Sequence, residues 1–367
     1  MHFPMTFSPM LNRHQRMGDS PIKGDSLVIG DLDPDDQAWR LLTSSGLGTT
    51  PVHNPVISQV AALTPGCRWS GLGAWRDGQL VGGVAVVANE HGDVWPRSLA
   101  PYNSPLVMSV PGARSSTRYR HESEVAGALL AELGKRHQFV SLRLRPQSID
   151  VRKIIESGWK LTSTFTYEIN VVDLNEAWRN IDDNRRRLIR RAERLGCTVG
   201  EVSRYSTGLV EEAERLHRMM RDGYSTSTDL DEQGWHRVLK LYFDAGIVRL
   251  LNVSAPDGDV VAFVIVTNTR PVSTLLATGA DPTRLDSGAG ALLRWRMLCE
   301  LSSDGVEVVD MNGARIGPEG RFKASFGGEL VDRWELSSPR NASTSGSLRT
   351  RLRSAIEALL GRQREDR

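Results

Sequence analysis

The sequence is poor in the features that mark several large protein classes. Its three cysteines, Cys67, Cys197 and Cys299, stand far apart and are odd in number. None has metal-ligand spacing, so neither a zinc site nor a disulfide framework is indicated, and a reducing cytoplasm fits. No apolar run approaches the ~20 residues that a membrane span requires. The formal net charge is only +2, so no whole-protein basic field invites DNA, and any anion site must be local. His53, His91, His121, His137, His217 and His236 are scattered, with no pair at metal-ligand spacing. No Gly-x-Ser-x-Gly elbow occurs, which leaves a serine hydrolase unsupported. Residues 1–25 lack an unbroken apolar core and a small-residue cleavage site, so they do not read as a signal peptide. With Pro4, Pro9, Gly18, Pro21 and Gly24 among polar residues, they read as a loose leader.

What is present is a chain of 367 residues, 40% hydrophobic and 25% charged, enough for two domains with real cores. The main signal is a repeat. RDGQLVGGVAVVA at 76–88 and PDGDVVAFVIVTN at 256–268 both place Asp-Gly before a β-branched run. Asp77-Gly78 and Asp257-Gly258 suit tight turns because both residue types tolerate positive φ, so each segment predicts a hairpin. A helix follows each hairpin. The first is expected at 119–136, with Ala126, Leu129, Leu130 and Leu133 at helical spacing. The second is expected at 288–302, with Leu292, Trp295, Leu298 and Cys299 on one face. Then come a strand, a short helix or turn, and a last strand, with GWKL at 158–161 and GGEL at 327–330 at matching points. Duplication of one α/β unit explains the shared order.

Between the halves, a helix is expected at 176–195. Trp178, Ile181, Leu188, Ala192 and Leu195 share one face, arginines cover the rest, and Gly196 closes it. After Pro339 a polar linker leads to a basic amphipathic helix at 347–362. That helix either packs on the second domain or sits on an anionic membrane at the inner face.

A hairpin, a strand, a helix opened by glycines and another strand resemble the order of the GNAT fold. In that fold, backbone N–H groups at the glycine turn hold a pyrophosphate. Here the turn reads TRLDSGAGALLRW, with Gly288 and Gly290. The motif departs from the usual pattern at Leu285, and Gly-Ala-Gly at a helix start is also a packing device. Two further segments, DDNRRRLIRRAERLG at 182–196 and VEVVDMNGARIGPEGRFKASFGGELV at 306–331, resemble the Fem-like peptidyltransferases among the GNAT-type acyltransferases. PYNSP at 101–105 resembles the Tyr-containing loop of their first domain.

The resemblance implies an α/β (α+β) chain of tandem GNAT-like domains, each a mixed, mostly antiparallel sheet flanked by helices. The expected division is a leader at 1–25, a first domain at 26–172, a second domain with its basic entry helix at 173–338, and the tail at 339–367. The implied activity moves an acyl or aminoacyl group from acyl-CoA or aminoacyl-tRNA to an amine. The acceptor would be a small molecule or a lipid- or nucleotide-linked envelope precursor. No heptad-bearing insert, which some Fem enzymes use to grip tRNA, is present.

The residues expected to act follow from this. Lys323, in F-K-x-x-F-G, matches the cation assigned to stabilising the oxyanion, its alternative being an ordinary surface lysine. Asp310, at a strand end, would bond the acceptor amine or take its proton, its alternative being a cap of the next turn. Gly288, Gly290, Arg186 and Arg190 are candidates for donor phosphates, against a packing turn and a solvated helix face. Tyr102, Asn103, Arg221, Tyr224, Asn312 and Arg315 are candidates for the acceptor pocket. A rival of another class is a degenerate tandem fold that only binds a ligand or partner.

Overall fold

The computed structural model describes residues 26–44, 49–146, 149–202, 204–221 and 232–340. The expected leader, Tyr224 and the tail from 341 onward lie outside them. In chain order the first half holds β1 (Val28–Asp31), α1 (Gln37–Ser44), α2 (Val56–Ala62), β2 (Arg68–Arg76), β3 (Gln79–Ala88), β4 (Asp93–Val94) and β5 (Leu106–Val107). It ends with α3 (Ser115–Arg136), β6 (Phe139–Arg143), α4 (Arg152–Glu156) and β7 (Lys160–Asn170). The second half holds α5 (Leu174–Asn180), α6 (Asp183–Arg194), β8 (Thr198–Val202), α7 (Thr207–Arg221), α8 (Glu232–Asp244), β9 (Val248–Ser254), β10 (Val260–Thr267) and β11 (Val272–Ala280). It ends with α9 (Ala289–Ser303), β12 (Val308–Asp310), α10 (Pro318–Ala324) and β13 (Glu329–Ser337).

The pairings of the two halves match one for one. β1–β2–β3–β4 and β8–β9–β10–β11 are both antiparallel runs, and each ends in a parallel partner, β6 or β12. The last strands are exchanged. β13 pairs with β6 of the first half, β7 pairs with β12 of the second, and β7 and β13 pair with each other. One sheet therefore runs through the molecule in the order β1-β2-β3-β4-β6-β13-β7-β12-β11-β10-β9-β8. The strands buried on both faces read as apolar runs, as VAFVIV does in β10. Helices cover both faces. α3 seals the first-half core around Leu129, Leu130, Leu133 and Leu142, and α6 with α9 seals the second around Ile189, Leu292, Met297 and Leu298. On the opposite faces lie α1 with α2 and α7 with α8.

Two expectations need correction. The helix expected at 176–195 is two helices, because Ile181 takes an extended conformation and is buried, while the Asp182 N–H donates to the Ser325 carbonyl at 3.0 Å. Asp173 caps the first of them, accepting from the Asn175 and Glu176 N–H groups. The two Asp-Gly turns also differ. Asp77 (φ 53°) and Gly78 (φ 74°) form a two-residue turn between β2 and β3. Asp257 and Gly258 sit in a five-residue loop, 255–259, closed by the Ala255 N–H on the Asp259 carbonyl. The longer loop accompanies a register shift between Val260 and Ala262.

Candidate active site

β11 and β12 pair only from Val272 to Thr274 and from Val308 to Asp310, and then diverge. A cavity of about 840 Å³ opens between them. Its walls come from both halves. Leu275–Thr278 and Met311–Arg315 form the cleft, Ser163–Phe165 and Arg333 come from the exchanged strands, and Arg97, Pro101 and Arg143 come from the first half. His217 and Trp235 stack at 5.3 Å on the side of α7 and α8, and the His217 Nδ1 lies 2.9 Å from the Thr278 carbonyl oxygen.

Lys323 reaches this cavity from α10 and is only 5% exposed. Its Nζ donates to the Asn312 and Gly313 carbonyls, both at 3.2 Å, and to Glu319 Oε1 at 2.7 Å. The short helix places the two side chains on one face because they are four residues apart. Burial pushes the Lys323 ammonium below the usual lysine range, with Glu319 opposing. Burial acts to raise the Glu319 carboxyl, but Lys323 outweighs it and holds the group low. Gly320 lets α10 close on the preceding loop, since a Cβ there would lie 1.8 Å from the Arg315 carbonyl oxygen.

Asp310 is fully buried and does not line the cavity, so its expected contact with the acceptor is not what the structure places there. It accepts from Tyr102 Oη at 2.5 Å, Thr166 Oγ1 at 2.6 Å and the Asn312 N–H at 2.8 Å. The last bond anchors Asn312 in the left-handed region, φ 52°, which turns the chain so that its carbonyl meets Lys323. Burial, then the Asp310 charge, raises the Tyr102 phenol above its usual range. Tyr102 is thus a strut between the halves and not an open pocket residue. Asn103 is likewise buried, bonding the Arg143 N–H at 2.7 Å and the Ser141 carbonyl at 3.3 Å.

Of the expected acceptor residues, Asn312 and Arg315 line the cavity. Arg221 ends α7, and Tyr224 falls outside the described residues. The expected donor residues gather elsewhere, at the contact of α6 with α9. A Cβ on Gly288 would lie 2.3 Å from the Leu188 carbonyl oxygen, whereas Gly290 has nothing within 4 Å. Arg186 donates to the Trp178 and Arg179 carbonyls at the end of α5 and pairs with Asp183, while Arg190 lies over the Trp178 ring at 5.6 Å. Sequence reasoning missed Glu319, Arg333, His217 and Trp235. Glu319 had a signal, the i, i+4 spacing to Lys323. Arg333 had none inside its strand pattern. It is buried and bonds Thr164 Oγ1 at 3.2 Å and Asn312 Oδ1 at 3.4 Å. Among the described residues no group of three or more His, Cys, Asp or Glu can hold a metal, and no helix is long and apolar enough to cross a membrane.

Residues 183–324 match the model of the acetyltransferase (GNAT) domain. No curated protein matches the chain. Among solved structures the chain is similar to FemX, with 12% identity and a TM-score of 0.63 over 84% of this chain and 96% of that one. It is also similar to a tandem GNAT protein from the clavulanic acid biosynthesis pathway, with 14% identity and a TM-score of 0.53 over 87% and 100%. A third neighbour is L-PGS from Bacillus licheniformis, with 12% identity and a TM-score of 0.54 over 87% and 97%. At these identities the likeness establishes the fold, which is the tandem GNAT arrangement of the Fem-like structures.

Proposed function

Because the chain has a tandem GNAT fold and carries a GNAT acetyltransferase domain, we propose that it transfers an acyl or aminoacyl group to an amine in the cavity shared by its two halves. The observation that carries this reading is the buried ammonium of Lys323 at the cavity wall. Attack of an amine on an ester or thioester builds negative charge on the carbonyl oxygen, and a fixed cation in a poorly hydrated site stabilises it. An ammonium has three N–H donors. Two of those of Lys323 are held by main-chain carbonyls and the third by Glu319, the partly exposed partner. In this reading the Glu319 contact is the one exchanged for the oxyanion, while the two carbonyls keep Nζ in place. His217 is the imidazole on the same wall. Its Nδ1–H donates to the Thr278 carbonyl, which fixes the ring on the cavity wall. Asp310 acts at one remove, by holding the Asn312 turn on which Lys323 rests.

The donor is a thioester or ester, acyl-CoA or aminoacyl-tRNA, and the acceptor a small, lipid-linked or nucleotide-linked amine of the cell envelope. The GNAT domain and the FemX and L-PGS folds support that class. The test is a transfer assay with acetyl-CoA, longer acyl-CoAs and aminoacyl-tRNA against amine acceptors, comparing the wild type with Lys323→Met. The variant is expected to lose on the order of a hundredfold in rate with its melting temperature kept within a few degrees. Equal turnover by a folded variant removes Lys323 from the mechanism. The absence of transfer from every donor would favour the binding-only alternative.

A further inference from the structure

A second cavity, about 540 Å³, lies between β5 and the end of β6, with Pro271, Val272 and Val308 of the second half also in its wall. It occupies the place that the larger cavity takes in the second half. Arg143 stands opposite Glu335 in the β6–β13 ladder, and Asp310 stands opposite Glu168 in the β12–β7 ladder. Two residues further along come Arg145 and Asn312, and each lines one of the two cavities. Arg145 is only 8% exposed. Its backbone N–H donates to Ser104 Oγ at 2.8 Å, and among the described residues its guanidinium has no hydrogen bond or ion pair, although its charge acts on Glu168 in the same cavity wall. The guanidinium nitrogens are not sealed inside the protein and so face the open space of the cavity. Its planar fork is shaped for a carboxylate or a phosphate.

The rest of the wall discriminates between those two. Leu106, Val107, Val272 and Val308 supply apolar surface beside the arginine. Glu168 and Glu122 line the same cavity, and burial raises both carboxyls, with Arg145 opposing at Glu168 and Arg118 at Glu122, so added negative charge meets two carboxyl groups as well as the two arginines. A dianion is therefore disfavoured against a monoanion. We propose that this cavity binds a monocarboxylate with a short apolar body, its carboxylate held by the guanidinium of Arg145. The site is distinct from the transfer cavity and does not depend on the reading given to it.

The test is calorimetry on the full chain with straight-chain carboxylates of four to eight carbons, the matched alcohols, hexyl phosphate and inorganic phosphate. Carboxylate affinity is expected to rise roughly fourfold per methylene. The alcohols and both phosphates should bind at least about tenfold more weakly. Arg145→Met should lose roughly tenfold to a hundredfold in carboxylate affinity, and Lys323→Met none. Alcohols or phosphates that bind as well as carboxylates would overturn the proposal, and this comparison needs only the wild type. So would the lack of any carboxylate binding at millimolar concentration. Loss of carboxylate binding in Lys323→Met with retention in Arg145→Met would assign the carboxylate to the other cavity and also overturn it.

Discussion

His53 is enclosed in the first half, and its two ring nitrogens serve opposite roles. Nδ1 accepts from the Thr50 N–H at 3.0 Å, so Nε2 carries the proton and donates to the Ser104 carbonyl at 2.8 Å. Protonating Nδ1 would set two donors against each other in a site with little water. Burial accordingly lowers the imidazole to about 4, Ser104 opposing and Arg145 adding to the effect. The folded state then binds fewer protons than the unfolded one between about pH 6.5 and 4, so stability falls as the pH is lowered through that window. The loss by pH 5 should be about 2 kcal/mol. Chemical denaturation of the wild type and of His53→Gln at pH 7 and pH 5 measures it. The variant should show a smaller difference between the two pH values, and an equal difference would mean that His53 is not the group responsible.

Among the elements, the turn into α9 separates two uses of glycine. Gly288 has φ 81° and lies against the Leu188 carbonyl of α6, so Gly288→Ala meets both backbone strain and a clash. It should cost at least about 2 kcal/mol. Gly290 lies inside the helix with open space around its Cα. Gly290→Ala should be neutral or gain up to about 1 kcal/mol from helix propensity. Thermal unfolding of the two variants checks both signs. If the turn also holds a donor pyrophosphate, Gly290→Ala should weaken donor binding without loss of stability, and an unchanged donor affinity would confine the turn to packing. Gly320 in α10 is a second packing glycine. With a Cβ 1.8 Å from the Arg315 carbonyl oxygen, Gly320→Ala should displace the loop that holds Asn312 and Lys323. Rate and melting temperature should therefore fall together in that variant.

For the whole molecule, the exchanged strands set the folding unit. β6 needs β13, and β12 needs β7, so neither half closes its own sheet. A fragment of residues 26–172 keeps β7 but loses every strand that β7 pairs with, leaving long open edges. It should aggregate or unfold without a cooperative transition, while coexpression with residues 173–340 should yield a soluble complex. The intact chain should unfold in one step. A monomeric 26–172 fragment with a sharp melt of its own would show that the exchange is not needed for folding.

The order of elements, the duplicated unit, the Lys323 segment and its Asn312 loop were legible in the sequence alone. Hydrophobic period, turn residues and motif spacing are local properties, and five elements recurring in order leave few folds. The break at Ile181–Asp182 was hidden because it depends on Ser325, over 140 residues away, accepting a main-chain bond. The exchange of β7 and β13 was hidden because either strand pattern fits either partner, and only the packed sheet selects one. The same distance governs the site. Tyr102 and Asp310 are 208 residues apart, and their 2.5 Å bond turns an expected pocket residue and an expected base into buried supports. Arg333 and Arg145 read as ordinary strand residues. Their charge became informative only when the tertiary structure withdrew them from water, since whether a guanidinium is solvated, paired or waiting for a ligand is decided by neighbours that no local pattern encodes.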